Sequence, residues 1–110
     1  MLKLRNHYYN DTTFLQEDEF VFIFYDTDSP STETIVTISL CSTLGTVDIN
    51  LCDGPTYSFL PKILKCIETK YHHDYSIIKL RCRFTEENQK ELLSAGYVKK
   101  HDREWLKILI

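Results

Sequence analysis

The chain has 110 residues, of which 43% are apolar, and a formal net charge of −3 at pH 7. This length and composition predict one domain over residues 1–110 with its own hydrophobic core. The sequence has neither a basic block nor a run of 18 apolar residues, which argues against a nucleic-acid partner and against a membrane-spanning helix. The first residues form no apolar h-region, so we expect a cytoplasmic, non-secreted protein.

The N-terminal half predicts only strands. Leu2–Leu4 is a candidate short strand, and residues 7–18 are polar and aromatic with little periodicity, as in a loop. Glu19–Tyr25 is almost wholly apolar and β-prone, which predicts a central strand covered on both faces. The turn-forming residues of Asp26–Thr32 separate it from a further strand at Glu33–Cys41.

The middle of the chain changes from strand to helix periodicity. After a hairpin turn at Ser42–Gly45, Thr46–Cys52 alternates apolar and polar residues, as a half-buried strand does. Asp53–Thr56 breaks the strand, and Pro61 fits the first turn of the helix predicted for Tyr57–Tyr71. A strand that leads into a helix through a tight turn is a candidate anion site, or only a connection. The apolar face of this helix comprises Leu60, Ile63, Leu64, Ile67 and Tyr71.

The C-terminal third predicts a strand, a helix and two more strands. Tyr75–Cys82 is β-prone, and Thr85 as N-cap and Gly96 as a stop delimit a second helix. Tyr97–Lys100 and Glu104–Ile110 follow as strands joined by a turn. The last strand is rich in apolar residues, and we expect it to be an exposed edge that favours self-association.

Two groups of potential metal ligands have simpler explanations. The four cysteines form no Cys-x-x-Cys pair, which predicts buried, reduced thiols rather than a zinc site. His72, His73 and Asp74 lie at a predicted helix C-terminus, where the helix dipole favours basic residues. We therefore expect no metal site. The cysteines are Cys41, Cys52, Cys66 and Cys82.

The predicted order is β-β-β-turn-α-β-α-β with two main helices, which argues for an α/β or α+β mixed sheet. The strands on either side of the first helix are joined by a crossover, so we expect them to be parallel neighbours. A different βα sandwich, such as a ferredoxin-like domain, is the alternative architecture.

In this order of strands, turns and helices, Phe20–Ile110 resembles the core of the GNAT superfamily of acetyl-CoA-dependent N-acetyltransferases. Leu51–Tyr57 is similar to the strand end of type V-x-P-x-Y that precedes the family's phosphate-binding loop. Thr85–Tyr97 is similar to the family's N-x-x-A-x-x-L-Y-x-x-x-G-F segment. The resemblance implies a GNAT-like mixed sheet with acetyl-CoA as its cofactor.

The sequence departs from the family pattern where the family carries its chemistry. The family's R-G-x-G-x-G/A loop corresponds to Tyr57–Lys62, which has no glycine and in which Pro61 removes an amide donor. Leu92 stands where the family often has a tyrosine general acid. Thr85 or Glu86 stands where the family has an asparagine.

The resemblance implies direct transfer of an acetyl group from acetyl-CoA to an unidentified amine. Asp48 is the candidate base, and Tyr57, Tyr97 or solvent is the candidate proton donor to the leaving thiolate. The amides of Leu51–Asp53, where the strands splay apart, would polarise the thioester carbonyl. Asp48 also fits the commoner role of an outward polar residue in an alternating strand. The candidate cofactor-binding residues are Leu51, Cys52, Asp53, Ser58, Phe59, Leu60, Lys62 and Asn88.

Two functions are consistent with this sequence. The first is a small, divergent N-acetyltransferase. The alternative is a non-catalytic GNAT-fold protein, of viral or other origin, that binds a protein partner or joins an assembly. Seven Tyr, six Phe and one Trp supply aromatic side chains for an interface, although a core uses the same residues.

Overall fold

The structure is a computed structural model that describes residues 2–7 and 19–109. The strands are β1 (Leu2–His7), β2 (Glu19–Asp26), β3 (Ser29–Cys41), β4 (Thr46–Asn50), β5 (Ile77–Arg81), β6 (Val98–His101) and β7 (Glu104–Ile108), and the helices are α1 (Leu60–Tyr71) and α2 (Glu86–Ser94). The loop predicted for residues 7–18 lies outside the described residues except for His7, which ends β1.

Within the described residues the strands form one mixed sheet, in the order β1-β2-β3-β4-β5-β7-β6. β4 and β5 run parallel, with Thr46 opposite Ile77 and Asn50 opposite Arg81. The helix α1 forms the crossover between them. The other described strand pairs are antiparallel. The α+β mixed sheet and the parallel neighbours predicted from the sequence are therefore confirmed. The predicted order β-β-β-turn-α-β-α-β is two strands short, since the described residues hold four strands before α1 and two after α2.

The hydrophobic core lies between one face of the sheet and the two helices. Val47 and Ile49 of β4, Leu92 of α2 and Trp105 of β7 are all buried in it. The predicted apolar face of α1 is confirmed, because all five of its residues are buried. On the opposite face of the sheet Ser39, Asp48, Lys79 and Leu106 lie side by side across β3, β4, β5 and β7. We call this the outer face.

The strand β2 confirms the prediction of cover on both faces, because four successive residues, Val21–Phe24, are buried. The turn predicted for Asp26–Thr32 is wrong in its extent, since β3 already begins at Ser29. The ladder shifts register after Tyr25. Pro30 lacks the N–H that a regular ladder needs, and it falls in this irregular segment.

The helix α1 begins later than the predicted Tyr57, at Leu60. Its N-cap residue, Phe59, has a left-handed backbone with φ 62° and closes the preceding turn. Pro61 lies in the first helical turn, as predicted. The boundaries of α2 agree with the sequence, because the Thr85 side chain caps its start and Gly96, at φ 94°, follows its end.

The strand β7 is not an edge strand, contrary to the prediction for residues 104–110. It pairs with β5 on one side and with β6 on the other, and its Trp105 is 1% exposed. The edge strand at this end of the sheet is β6, whose side chains are all exposed. Lys99 and Lys100 place charge on this edge, which opposes pairing with another strand. The prediction that the C-terminal strand is an exposed edge that favours self-association is therefore wrong, because the β6–β7 hairpin places that strand inside the sheet.

The prediction of buried cysteines is correct for Cys82 and wrong for Cys52 and Cys66, which are exposed. Cys52 lies beyond the end of β4, and Cys66 lies on the solvent-exposed side of α1. The described residues contain no group of three or more His, Cys, Asp or Glu arranged to hold a metal ion. Neither described helix is long and apolar enough to cross a bilayer.

Candidate functional site

The predicted cofactor residues gather where the parallel strands β4 and β5 end and the chain turns into α1. Leu51, the first residue after β4, donates its N–H to the carbonyl of Arg81 at 3.5 Å. The parallel ladder therefore continues one residue past β4. The Leu51 amide, expected to polarise a thioester, is bonded within the sheet.

Beyond Leu51 a tyrosine side chain bridges the strand ends. The Tyr57 hydroxyl donates to the carbonyl of Cys52, and the Cys82 thiol lies 3.4 Å from the same oxygen. Burial is the main cause that raises the pKa of Tyr57 to about 12 and that of Cys82 to about 12. Both groups are therefore protonated at neutral pH and act as donors to a backbone carbonyl.

The carboxylate of Asp53 joins three separate segments. Its Oδ1 accepts from the N–H of Arg83 at 2.7 Å, and its Oδ2 lies 3.2 Å from Nε of Arg103 in the turn between β6 and β7. The bond from the Arg83 N–H is the main cause that lowers the pKa of Asp53. The sequence predicted Asp53 as a cofactor-binding residue. In the structure its carboxylate instead holds the loop after β4 against the segments that carry Arg83 and Arg103.

Asn88 lies in the first turns of α2 and is 0% exposed. Its Oδ1 accepts from the N–H of Tyr57 at 2.8 Å. Its Nδ2 donates to the carbonyl of Tyr57 at 3.0 Å and to Oε1 of Glu91 at 2.7 Å. The amide thus pairs with both backbone groups of one residue, as a neighbouring strand would, and both Nδ2 protons are used.

The remaining candidates surround the start of α1. Ser58, Phe59 and Lys62 are exposed, whereas Leu60 is 0% exposed and belongs to the core. The helix has no side-chain cap, and Nζ of Lys62 lies 5.6 Å from the centroid of the Phe59 ring. The left-handed Phe59 occupies the turn where the resemblance places glycines. A left-handed backbone costs a non-glycine residue about 1 kcal/mol.

This conformation favours glycine over alanine at position 59. We expect Phe59→Gly to be more stable than Phe59→Ala by about 1 kcal/mol, because only glycine adopts φ 62° without a Cβ clash. Urea denaturation of the two variants measures the difference. Glycine is also the better of the two at an ordinary N-cap, so an advantage for Phe59→Ala would contradict the left-handed turn.

The structure does not bring the three candidate catalytic residues together. Asp48 lies on the outer face, with its Oδ1 3.9 Å from Nε of Arg81. That oxygen is buried and has no hydrogen-bond partner among the described residues. Tyr57 and Tyr97 lie on the core side of the sheet. The hydroxyl of Tyr97 is 3.5 Å from Oε2 of Glu68. Burial is the main cause that raises the pKa of Tyr97.

Sequence reasoning missed a buried ion pair between α1 and β7. Glu68 is buried, and its Oε1 lies 2.6 Å from Nζ of Lys107. The apolar face predicted for α1 did not include Glu68. Its spacing from Leu64, four residues earlier, and from Tyr71, three residues later, was the available signal, since such neighbours share a helix face.

The geometry defines an α+β domain whose parallel strand pair ends in a bonded cluster of Leu51, Cys52, Asp53, Tyr57 and Asn88. We call this cluster the closed end. No protein-family model, curated protein or solved structure matches the chain.

Proposed function

We propose that the chain is a GNAT-like domain that has lost acetyl transfer and acts as a non-catalytic protein-binding or assembly module. The strand order with α1 between the parallel neighbours β4 and β5 supports a GNAT-like fold, since the resemblance implies this arrangement. The order alone is a fold-level analogy, and the function rests on the site.

The observation that carries the proposal is the internal use of the groups expected to meet the cofactor. The Leu51 amide is bonded to Arg81, the Asp53 carboxylate to the Arg83 amide, and the Asn88 side chain to Tyr57 and Glu91. Binding acetyl-CoA there would break these contacts, and the buried groups would then need new partners. The closed end therefore favours a structural role.

An apolar stripe on the outer face supplies a surface for a protein partner. Val98 lies opposite Leu106, and Ile77 lies opposite Ile108, so the four side chains adjoin across β5, β7 and β6. Val98 is 56% exposed and Ile108 is 64% exposed. Exposed apolar side chains that adjoin one another are typical of interaction surfaces.

Thermal denaturation with acetyl-CoA tests the proposal. We expect no change in Tm at millimolar acetyl-CoA, for the wild type and for Pro61→Gly, which restores an amide donor to the first turn. A functional site at 100 times its Kd would stabilise the fold by about 2.7 kcal/mol. That would raise Tm by about 10 °C. A saturable rise of that size in either protein would overturn the proposal.

The second candidate is a small N-acetyltransferase that transfers an acetyl group from acetyl-CoA to an amine. The observation that favours it is the start of α1, which follows β4 after the turn of residues 51–59 and has no side-chain cap. Helix amides at such a position bind anions. In this reaction the amine attacks the thioester carbon, and Asp48 takes the amine proton. The C–S bond then breaks, and the leaving thiolate of CoA takes a proton from Tyr57, from Tyr97 or from solvent. Release of free thiol that Asp48→Asn abolishes would support this candidate.

A further inference from the structure

A groove of about 540 Å³ lies between the C-terminal half of α1 and the end of β7. Its lining includes Lys65 and Glu68 of α1, the C-cap residue His72, and Lys107 and Leu109. A cavity of this size is large enough for a small organic molecule. It includes no residue of the closed end, and it shares only Ile108 with the apolar stripe on the outer face.

One cation of the groove, Lys107, is held in a fixed position. Its Nζ lies 2.6 Å from Oε1 of Glu68 and 5.5 Å from the centroid of the Tyr97 ring. Its stem packs beside Gly96, where a Cβ would lie 3.5 Å from Cε of Lys107. An ammonium group has three N–H donors. The side chain is 24% exposed, so donors that Glu68 does not use are available to a molecule in the groove.

The remaining lining makes the groove net positive. Lys107 offsets the charge of Glu68, the acidic residue in the lining. Lys65 is exposed and makes no ion pair with any residue in the described part of the chain. At the rim, Nδ1 of His72 donates to the carbonyl of Thr69 at 3.1 Å, which satisfies one carbonyl at the negative end of the helix dipole.

The groove also has an apolar wall. Leu109 is half-buried and packs against the hydrophobic core, and it lines the groove beside Lys107. An apolar chain placed on Leu109 would lose contact with water, and this burial is favourable by about 0.8 kcal/mol for each methylene. The groove therefore combines positive charge and apolar surface within the reach of one small molecule.

We infer that this groove binds a small organic carboxylate that carries a short apolar chain. The carboxylate accepts hydrogen bonds from the ammonium groups of Lys107 and Lys65, and the chain packs on Leu109. Charge-assisted bonds of this kind are stronger than neutral ones. An alcohol of the same length lacks the charge, and an amine of the same length is repelled by both lysines.

NMR titration of the ¹⁵N-labelled chain with three six-carbon probes tests the inference. Hexanoate is expected to shift the amide signals of Lys65, Thr69 and Leu109 saturably, with a Kd in the millimolar range. Hexanol and hexylamine are expected to produce no saturable shift of these signals. The absence of saturation with hexanoate would overturn the inference, and so would equal binding of hexanol or hexylamine.

A charge-reversing variant tests the role of the groove lysine without disturbing the core. Lys65→Glu is expected to weaken hexanoate binding about tenfold, because it replaces an attractive charge by a repulsive one. Lys100→Glu makes the same charge change on the exposed strand β6 and should bind hexanoate like the wild type. Both sites are exposed, so both variants should fold. Undiminished binding by Lys65→Glu, or an equal loss in Lys100→Glu, would contradict the inference.

Discussion

Asn88→Ala is expected to lower the free energy of unfolding by about 3 kcal/mol, measured by urea denaturation at pH 7. The Asn88 amide is the partner of both the N–H and the carbonyl of Tyr57, and it is 0% exposed. Alanine leaves these backbone groups without their partner, and each buried unsatisfied group costs about 1–3 kcal/mol. The variant should also expose the Tyr57 amide to faster hydrogen exchange.

The matched control is Asn50→Ala, the same change at an exposed asparagine of β4. It is expected to alter the free energy of unfolding by less than about 0.5 kcal/mol, as exposed substitutions usually do. The exchange rate of the Tyr57 amide should not change. Equal stability of the two variants would show that the Asn88 contacts do not hold the closed end together.

Lys107→Met is also expected to lower the free energy of unfolding by about 3 kcal/mol. The change keeps most of the apolar stem and removes the ammonium group that lies 2.6 Å from Glu68. The carboxylate of Glu68, whose side chain is 10% exposed, would then be buried without a counter-charge. Removing one partner of a buried pair typically costs about 3–5 kcal/mol. The lower end applies because Lys107 is partly exposed.

The double variant Glu68→Gln/Lys107→Met is expected to recover most of this loss. Glutamine has no charge to bury and still accepts the hydrogen bond from the Tyr97 hydroxyl, which now lies 3.5 Å from Oε2. The coupling energy from the double-mutant cycle should therefore exceed about 1.5 kcal/mol. A coupling energy near zero would mean that Glu68 and Lys107 contribute to stability independently.

The closed end shows how far the sequence could predict the candidate site. The strand, the turn and Pro61 in the first turn of α1 were predictable, because period and turn chemistry act between near neighbours. The hydrogen bonds that Leu51, Asp53 and Asn88 make within the domain were not predictable. Asn88 meets Tyr57 across 31 positions, and Asp53 meets Arg83 across 30. The packing of α2 brings Asn88 to Tyr57. The parallel pairing of β4 with β5 brings Arg81 and Arg83 beside Leu51 and Asp53.

The difference between contacts of near neighbours and contacts of distant residues also explains why the C-terminal strand was wrongly predicted to be an edge strand. Alternating apolar residues correctly predicted a strand near residues 104–110, but strand periodicity carries no information about which neighbours a strand pairs with. Tertiary structure placed β7 between β5 and β6. At this end of the sheet the exposed edge strand is β6, which carries Lys99 and Lys100.

The sequence by itself determined that strands come first and that the two helices alternate with strands after them. It also determined the apolar face of α1 and the limits of α2 between Thr85 and Gly96. These features depend on local backbone preference and on the period of apolar side chains. Tertiary structure alone decided that the end of the parallel strands is closed, that Glu68 is buried against Lys107, and that a positive groove lies beside Leu109. These features depend on the hydrogen bonds and charges of residues distant in the chain, whose partners are set only when the sheet and helices pack.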